Sequence, residues 1–305
     1  MLGARRTWER LVAGDCGISS TRSLGSEFVA LPSQVAGIVP TGLLADGGWT
    51  ASEHVTPTEI RQSAKFAQYG LAASAEALKD AGFEGGKGLD PETTGVCLGS
   101  GIGALEDLFE TSLAYKSVSP PNYRKIHPLF VPRLLINLGA GHISMRYGLR
   151  GPNHAATTAC TTGAHSIGDA MRFIAFGDAD VMVAGGAESC VHPLAIGGFA
   201  RSRSLATDFN ETPERASRPF DKDRAGFVIG EGAAVLILEV SQSSISIVIL
   251  LIFGRNLSTL RNGKHESMLR WRATAALLTR ITSRHHARTV QVHYKPCVGL
   301  SRMPR

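Results

Sequence analysis

The chain has 305 residues, of which 43% are hydrophobic and 19% are charged, and this composition excludes a disordered chain, a coiled coil and a collagen-like fibre. The net charge of +6 is unevenly distributed, because residues 241–305 hold 11 Lys or Arg residues and a single acid, Glu266. The first 240 residues hold 21 basic and 25 acidic residues, so the body of the protein is mildly acidic. Binding of nucleic acid or of an anionic membrane is therefore a hypothesis for the basic tail alone.

In chain order, strands and helices alternate along the acidic body. Helices are predicted where apolar residues recur at helical spacing, and strands where short apolar runs lead into glycine. The predicted helices span residues 8–14, 59–81, 131–147 and 160–176, and the predicted strands span residues 94–99, 155–159, 180–184 and 233–238. This alternation predicts an α/β fold with a mostly parallel sheet that helices cover.

A cysteine stands where a predicted strand meets a predicted helix, in the segment Thr158-Ala-Cys-Thr-Thr-Gly-Ala-His165. The first amide N–H groups of a helix lack intrahelical partners and the helix dipole is positive there, so this position stabilises a thiolate or an oxyanion. The small neighbouring side chains leave room for a substrate. Cys160 is therefore a candidate nucleophile, and a buried structural cysteine is the alternative.

The remaining chemical signals are weaker. The five cysteines fall at irregular spacings without a C-x-x-C pair, which argues against a zinc site and against a disulfide framework, so no metal and no cofactor are predicted. The glycine-rich stretch Gly99-Ser-Gly-Ile-Gly103 is by itself weak evidence for a phosphate loop. The longest uninterrupted apolar run, residues 247–253, is too short to cross a bilayer.

Beyond Cys160, several stretches of this sequence resemble the elongating β-ketoacyl-acyl-carrier-protein synthases of the mitochondrial type. The resemblance runs in order from residue 7 to residue 239 and is carried by residues 8–18, 66–70, 99–103, 130–132, 141–152, 158–165, 177–186, 219–227 and 230–232. It implies a thiolase-like fold, of which this chain would hold the N-terminal half. It also makes Cys160 the position of the family's nucleophile and Gly99–Gly103 a turn at a strand end.

The resemblance further implies a decarboxylative condensation in fatty acid biosynthesis. An acyl group passes from acyl carrier protein to the cysteine, and malonyl-acyl carrier protein then loses carbon dioxide and attacks the thioester. The family needs no cofactor for this reaction and usually forms homodimers. Resemblance to the mitochondrial type also predicts a mitochondrial location, although no transit peptide is recognisable in this chain.

Other positions follow from the resemblance less directly. Leu108 matches a wall of the acyl pocket and Phe227 matches an aromatic beside the nucleophile, with core packing as the alternative for each. Arg61 and Arg203 match basic positions that meet the acidic carrier protein, with a solvated surface charge as the alternative. His154 and His165 are poor candidates for a general base. His165, for example, lies about 140° around the helix from Cys160.

The sequence departs from the family at both ends. The family's first strand is not recognisable before residue 7, and the family's N-A-H-x-T-S-T, K-x-x-x-G-H and F-G-F-G-G segments, which carry two histidines, a lysine and a gating loop, are not found. Apolar surface that the second half covers is expected to be exposed. Residues 240–305 are expected to be a disordered basic tail outside the fold, and the Glu239-Val-Ser241 junction suggests intron read-through.

These departures leave three hypotheses about function. The first is a ketoacyl synthase, and the second is a catalytically incomplete fragment that can be acylated or can dimerise but cannot condense. The third is a protein whose basic tail binds nucleic acid or acidic lipid, which the absence of a recognised binding motif disfavours.

Overall fold

The computed structural model describes residues 3–43 and 47–240, together with the backbone of residues 247–250. Its helices are α1 (Ala4–Val12), α2 (Ser26–Val29), α3 (Pro57–Gln62), α4 (Lys65–Asp80), α5 (Leu105–Lys116), α6 (Phe130–Leu134), α7 (Leu138–Tyr147), α8 (Thr162–Phe176) and α9 (Pro193–Arg201). Its strands are β1 (Ile18–Ser20), β2 (Val35–Gly37), β3 (Thr94–Gly99), β4 (Asn153–His154), β5 (Val181–Glu188), β6 (Gly232–Glu239) and β7 (Ile247–Leu250).

The main sheet is mixed, with the strand order β4-β3-β5-β6-β7. Strands β4, β3 and β5 run parallel, whereas β6 is antiparallel to β5 and β7 is antiparallel to β6. The predicted α/β class is confirmed, and the sheet is parallel on the side that carries β3 and β5. Strands β1 and β2 form a separate antiparallel pair.

The core lies on both faces of this sheet because successive side chains of a strand point to opposite faces. Val183 and Val235 join α4 and α7 in one cluster, whereas Met182 and Leu236 join α8 in another. Helix α4 is the main buried helix, with Phe66 and Tyr69 almost fully enclosed. The result is three layers in which α8 covers the face opposite α4.

Two predicted helices are broken in the structure. The predicted helix 59–81 divides into α3 and α4 because Ser63 adopts an extended backbone and its hydroxyl donates to the carbonyl of Glu59 at 2.6 Å. Helix α3 also begins earlier than predicted, at a capping box between Thr56 and Glu59. The predicted helix 131–147 divides into α6 and α7 at the extended backbone of Leu135.

The predicted strand 155–159 is wrong. The residues that pair with β3 are Asn153 and His154, and the chain from Ala155 to Thr158 leaves the sheet before the turn at Cys160. The apolar small residues of this segment gave no information on where pairing stops. Strand β4 is therefore a two-residue edge strand.

The backbone of β7 pairs with β6, so four residues of the predicted basic tail lie at the edge of the sheet. Residues 241–246 and 251–305 lie outside the described residues. The domain boundary at residue 240 accordingly stays a prediction.

Large apolar side chains are exposed on the described part of the chain. Phe220 is 94% exposed, Phe176 is 79% exposed and Tyr123 is 72% exposed. None of the helices that the structure describes combines the length and the apolar character that a bilayer span requires.

Candidate active site

Cys160 lies exposed in a single 3₁₀ turn, Ala159–Thr161, that leads directly into α8. The predicted position of this thiol at the start of a helix is therefore what the structure shows. The amide N–H groups of a first helical turn have no partners within the helix and point toward an approaching carbonyl oxygen. The site places an accessible sulfur at the positive end of the α8 dipole, although the amides of Thr161 and Thr162 already donate to the carbonyls of Thr158 and Ala159.

The turn is held in an uncommon conformation. Ala159 has a φ of +51°, in the left-handed region that non-glycine residues seldom adopt. The hydroxyl of Thr162 stabilises this backbone conformation. It accepts a hydrogen bond from the amide of Thr158 at 2.9 Å and donates to the carbonyl of Ala159 at 2.7 Å. The strained backbone presents Cys160 to solvent while Thr162 stays buried beneath it.

Glycines let the start of α8 approach the sheet closely. A Cβ at Gly99, the last residue of β3, would lie 2.2 Å from the carbonyl oxygen of Ala156 and 2.5 Å from Cγ2 of Thr162. A Cβ at Gly186 on β5 would lie 3.0 Å from the Cα of Gly163. Because Gly99 and Gly186 carry no side chains, the turn that holds Cys160 can pack directly against the backbone of the sheet.

The glycine-rich loop after β3 binds a carboxylate of the protein itself. The side chain of Glu188, at the end of β5, accepts hydrogen bonds from the hydroxyl of Ser100 and from the amides of Gly101, Ile102 and Gly103, at distances between 2.7 and 3.3 Å. Because Glu188 fills this ring of donors, the interpretation of Gly99–Gly103 as a phosphate loop is not supported by the geometry. The loop is a strand-end turn, and it packs against the backbone of Ala159.

The two apolar positions taken from the family resemblance lie on different elements. Leu108 is in α5 and is 42% exposed, and Phe227 follows the loop after α9 and is 43% exposed. The ring of Phe227 packs edge-on against Phe199 with 5.2 Å between ring centroids. Neither residue is buried in the core, so each offers apolar surface to a ligand.

The two basic positions are also exposed and lie on separate elements. Arg61 is near the end of α3, where its guanidinium lies 3.5 Å from the hydroxyl of Thr58. Arg203 follows α9 with a φ of +57° and lines a surface pocket together with Arg224 and Asp208. Within the described part of the chain, neither guanidinium forms an ion pair.

The two histidines near the nucleophile make other contacts. Nδ1 of His165 lies 2.8 Å from the hydroxyl of Thr158, and Nδ1 of His154 lies 3.6 Å from a carboxylate oxygen of Asp169. Over residues 3–43 and 47–240, no side chain forms a hydrogen bond or an ion pair with Cys160. The expectation that neither histidine acts as its base stays a prediction.

The two buried cysteines of the site region differ from Cys160. Burial raises the pKa of the Cys97 thiol to about 11 and that of the Cys190 thiol to about 12. Both thiols are therefore protonated near neutral pH, and both are enclosed by the protein. Cys160 is set apart from them by its exposure.

Sequence reasoning missed several residues that shape the site. Glu188 carried a weak signal, since it follows the glycines at the end of a buried strand near another glycine-rich turn. The grouping of Cys97, His154 and Asp169 gave no signal, because these residues are far apart in the chain and only the fold brings them together. They are the group of side chains among the described residues that is placed to hold a metal ion.

Comparison with known proteins agrees with this arrangement. Residues 2–243 match the family described as "Beta-ketoacyl synthase, N-terminal domain". The chain is 46% identical over 253 residues to a mitochondrial 3-oxoacyl-[acyl-carrier-protein] synthase of Arabidopsis thaliana, covering 78% of this chain and 52% of that protein. It is 46% identical over 237 residues to 3-oxoacyl-[acyl-carrier-protein] synthase 2 of Rhizobium meliloti, covering 78% and 55%.

Solved structures show the same fold. A β-ketoacyl synthase from Burkholderia phymatum aligns with a TM-score of 0.66 at 29% identity, covering 77% of this chain and 54% of that one. A ketosynthase of a type II polyketide synthase, in complex with its acyl-carrier protein, aligns with a TM-score of 0.62 at 26% identity, covering 78% and 54%. The chain spans about half the length of the curated relatives it matches. On this evidence the chain belongs to the β-ketoacyl synthase family, and it matches the family's N-terminal domain.

Proposed function

We propose that this chain provides the acyl-accepting nucleophile of a β-ketoacyl-acyl-carrier-protein synthase of fatty acid biosynthesis, with Cys160 as that nucleophile. The observation that carries the proposal is the exposed thiol of Cys160 in the turn that begins α8. Membership of the family and the names of relatives that are 3-oxoacyl-[acyl-carrier-protein] synthases support it.

The acylation step uses the sulfur and the backbone of the turn. The Cys160 sulfur attacks the carbonyl carbon of an acyl thioester, and a tetrahedral intermediate forms whose oxyanion the positive end of the α8 dipole stabilises. When the intermediate collapses, the carbon–sulfur bond to the carrier breaks. The proton lost by Cys160 is recovered by the released carrier thiol, so the step needs no further reactant.

Condensation is the second part of the proposal. Malonyl-acyl carrier protein loses carbon dioxide, and the resulting carbanion attacks the acyl-cysteine to give the β-ketoacyl product and the free thiol. The family uses two histidines and a lysine for this step, and the sequence segments that carry them are not recognisable here. The second candidate function is therefore a chain that is acylated at Cys160 but does not condense, and it is considered because no basic side chain contacts Cys160 within residues 3–43 and 47–240.

Binding of substrate and carrier follows from the exposed positions. Leu108 and Phe227 are proposed to contact the acyl chain, because each has free apolar surface. Arg61 and Arg203 are proposed to contact an acidic acyl carrier protein, because both guanidinium groups are exposed and lack an acidic partner among the described residues. A surface contact of this kind acts mainly on the association rate and weakens as salt increases.

Assembly and location are further parts of the proposal. A homodimer is proposed because the family usually forms one, and light scattering of the purified chain tests it. A mitochondrial location is proposed because relatives from Arabidopsis thaliana and Schizosaccharomyces pombe carry the word mitochondrial in their names. Cell fractionation followed by immunodetection tests the location.

The experiment that tests the function separates acylation from condensation. The purified chain is incubated with acyl-acyl carrier protein, the adduct is located by peptide mass spectrometry, and labelled malonyl-acyl carrier protein is then added. Acylation of Cys160 with release of labelled carbon dioxide and formation of the ketoacyl product supports the complete reaction, and acylation alone supports the second candidate.

A matched pair of variants controls this experiment. Cys160→Ser is expected to abolish the adduct, whereas Cys16→Ser, which changes another cysteine that is not fully buried, is expected to retain it. A folded chain that takes no acyl group at Cys160 contradicts both candidate functions.

A further inference from the structure

Three side chains that the proposed reaction does not use converge beneath the edge of the main sheet. Cys97 comes from β3, His154 from β4 and Asp169 from α8. We propose that these three residues form a binding site for a divalent transition metal ion, and that Zn²⁺ is the ion their thiol, imidazole and carboxylate groups fit best. This inference does not depend on the proposed function.

The distances between the donor atoms fit a single ion. The Sγ of Cys97 lies 3.8 Å from Nδ1 of His154, which lies 3.6 Å from Oδ2 of Asp169, and all three donor atoms lie within 4.8 Å of one another. Tetrahedral bonds of about 2.3 Å to sulfur and about 2.0–2.1 Å to nitrogen or oxygen place neighbouring donor atoms roughly 3.4–3.6 Å apart. Small side-chain movements therefore bring the three atoms onto one ion and leave the fourth position for water.

The same geometry argues against a catalytic triad. A nucleophile–histidine–carboxylate triad uses both ring nitrogens of the histidine, one toward each partner. Here both Cys97 and Asp169 approach the same nitrogen, Nδ1 of His154. Three donors that face one point are the arrangement of a metal site, and the full burial of Cys97 further disfavours a nucleophilic role.

The surrounding residues orient the donor groups. The guanidinium of Arg172 donates to Oδ1 of Asp169 at 2.8 Å, which leaves Oδ2 facing His154. The ring of Phe173 packs edge-on against the imidazole of His154, with 6.0 Å between centroids. Partners of this kind fix ligand orientation in known metal sites.

Access to the site is through the two polar donors. The side chain of His154 is 49% exposed and that of Asp169 is 31% exposed, whereas Cys97 is enclosed. An ion can therefore enter from the surface past His154 and Asp169 and reach the sulfur last.

The test is a titration of the full 305-residue chain, prepared without a histidine tag and kept reduced, with Co²⁺ as a spectroscopic probe for Zn²⁺. A thiolate-to-cobalt charge-transfer band that saturates at one ion per chain and disappears when Zn²⁺ is added is the expected result. The thiolate band separates this site from histidine-only binding elsewhere in the chain.

Variants assign the band to the three residues. Cys97→Ser is expected to remove it, and His154→Gln, at an exposed edge position where folding is not at risk, is expected to weaken the apparent affinity by more than about tenfold. Cys190→Ser, at a buried cysteine outside this cluster, and Cys160→Ser are expected to leave the band unchanged. A folded chain without a thiolate band, a band that survives Cys97→Ser, or unchanged affinity in His154→Gln would overturn the proposal.

Discussion

The hydroxyl of Ser100 donates to the carboxylate of Glu188 at 2.9 Å and so joins the loop after β3 to the end of β5. The same carboxylate accepts from three consecutive backbone amides of that loop. Because the loop packs against the backbone of Ala159, this one side chain supports the turn that carries Cys160. The link is electrostatic as well as structural, since an anion fills a ring of oriented N–H dipoles.

Glu188→Gln is predicted to destabilise the chain and to slow the reaction of Cys160. The amide nitrogen that replaces a carboxylate oxygen is a donor and would face backbone donors, so we expect a loss of about 1–3 kcal/mol in the free energy of unfolding. Urea denaturation and the alkylation rate of Cys160 measure the two effects. Glu110→Gln, on an exposed position of α5, is the matched control and is expected to change neither.

Gly99→Ala is predicted to disturb the nucleophile turn. Its Cβ would overlap the backbone of Ala156 and the side chain of Thr162, and relief of overpacking of this kind typically costs about 1–3 kcal/mol. The control is Gly163→Ala, whose Cβ would meet its nearest neighbours at 3.7 Å, which is ordinary contact. Since alanine favours helices over glycine, we expect Gly163→Ala to be neutral or slightly stabilising in thermal denaturation. Equal destabilisation by both variants contradicts this account.

Cys160 is predicted to react with iodoacetamide before Cys97 and Cys190. It is exposed, whereas the other two are enclosed and have pKa values raised by burial to about 11 and about 12. Peptide mass spectrometry at short reaction times, near neutral pH, measures the order of modification. Denaturant is expected to make Cys97 and Cys190 reactive, and comparable reactivity of all three thiols in the native chain would count against the structure.

Glu59→Gln is predicted to remove a pH-dependent part of the stability. Two hydrogen bonds of 2.6 Å from Arg146 lower the pKa of the Glu59 carboxyl from 4.5 to about 2. A carboxyl with a lowered folded-state pKa stabilises the fold above its unfolded pKa of 4.5, and that stabilisation is lost as the pH falls toward 2. We expect Glu59→Gln to cost roughly 2–3 kcal/mol at pH 7 and to flatten the stability curve below pH 4.5.

An exposed ion pair provides the control for the Glu59 prediction. Glu92 and Arg150 lie 2.7 Å apart, but both side chains are well exposed, so Glu92→Gln is expected to cost less than about 1 kcal/mol at any pH. Denaturant titrations at several pH values compare the two variants. A similar loss of stability in both variants would contradict the prediction, because it would show that partial burial does not strengthen the Glu59–Arg146 ion pair.

The sequence by itself determined the fold class, the family and the position of Cys160 at the start of a helix. Those features follow from local properties, namely apolar periodicity, glycine at strand ends and motifs that are continuous in the chain. Where the local signal was shared by two conformations, prediction was wrong. Apolar spacing continued through Ser63 and Leu135 although the helices stop there, and small residues 155–159 resembled a strand although pairing ends at His154.

Only the tertiary structure decided which distant groups meet. Glu188 is more than 80 residues from the loop amides it binds, and Cys97, His154 and Asp169 come from three separate elements. No spacing rule connects such residues, because their proximity results from the parallel pairing of β4 and β5 on either side of β3 and from the packing of α8 against that sheet. Local sequence patterns determine where each helix and strand lies in the chain. The packing of these elements, which glycine allows to be close, determines which side chains meet in the two sites.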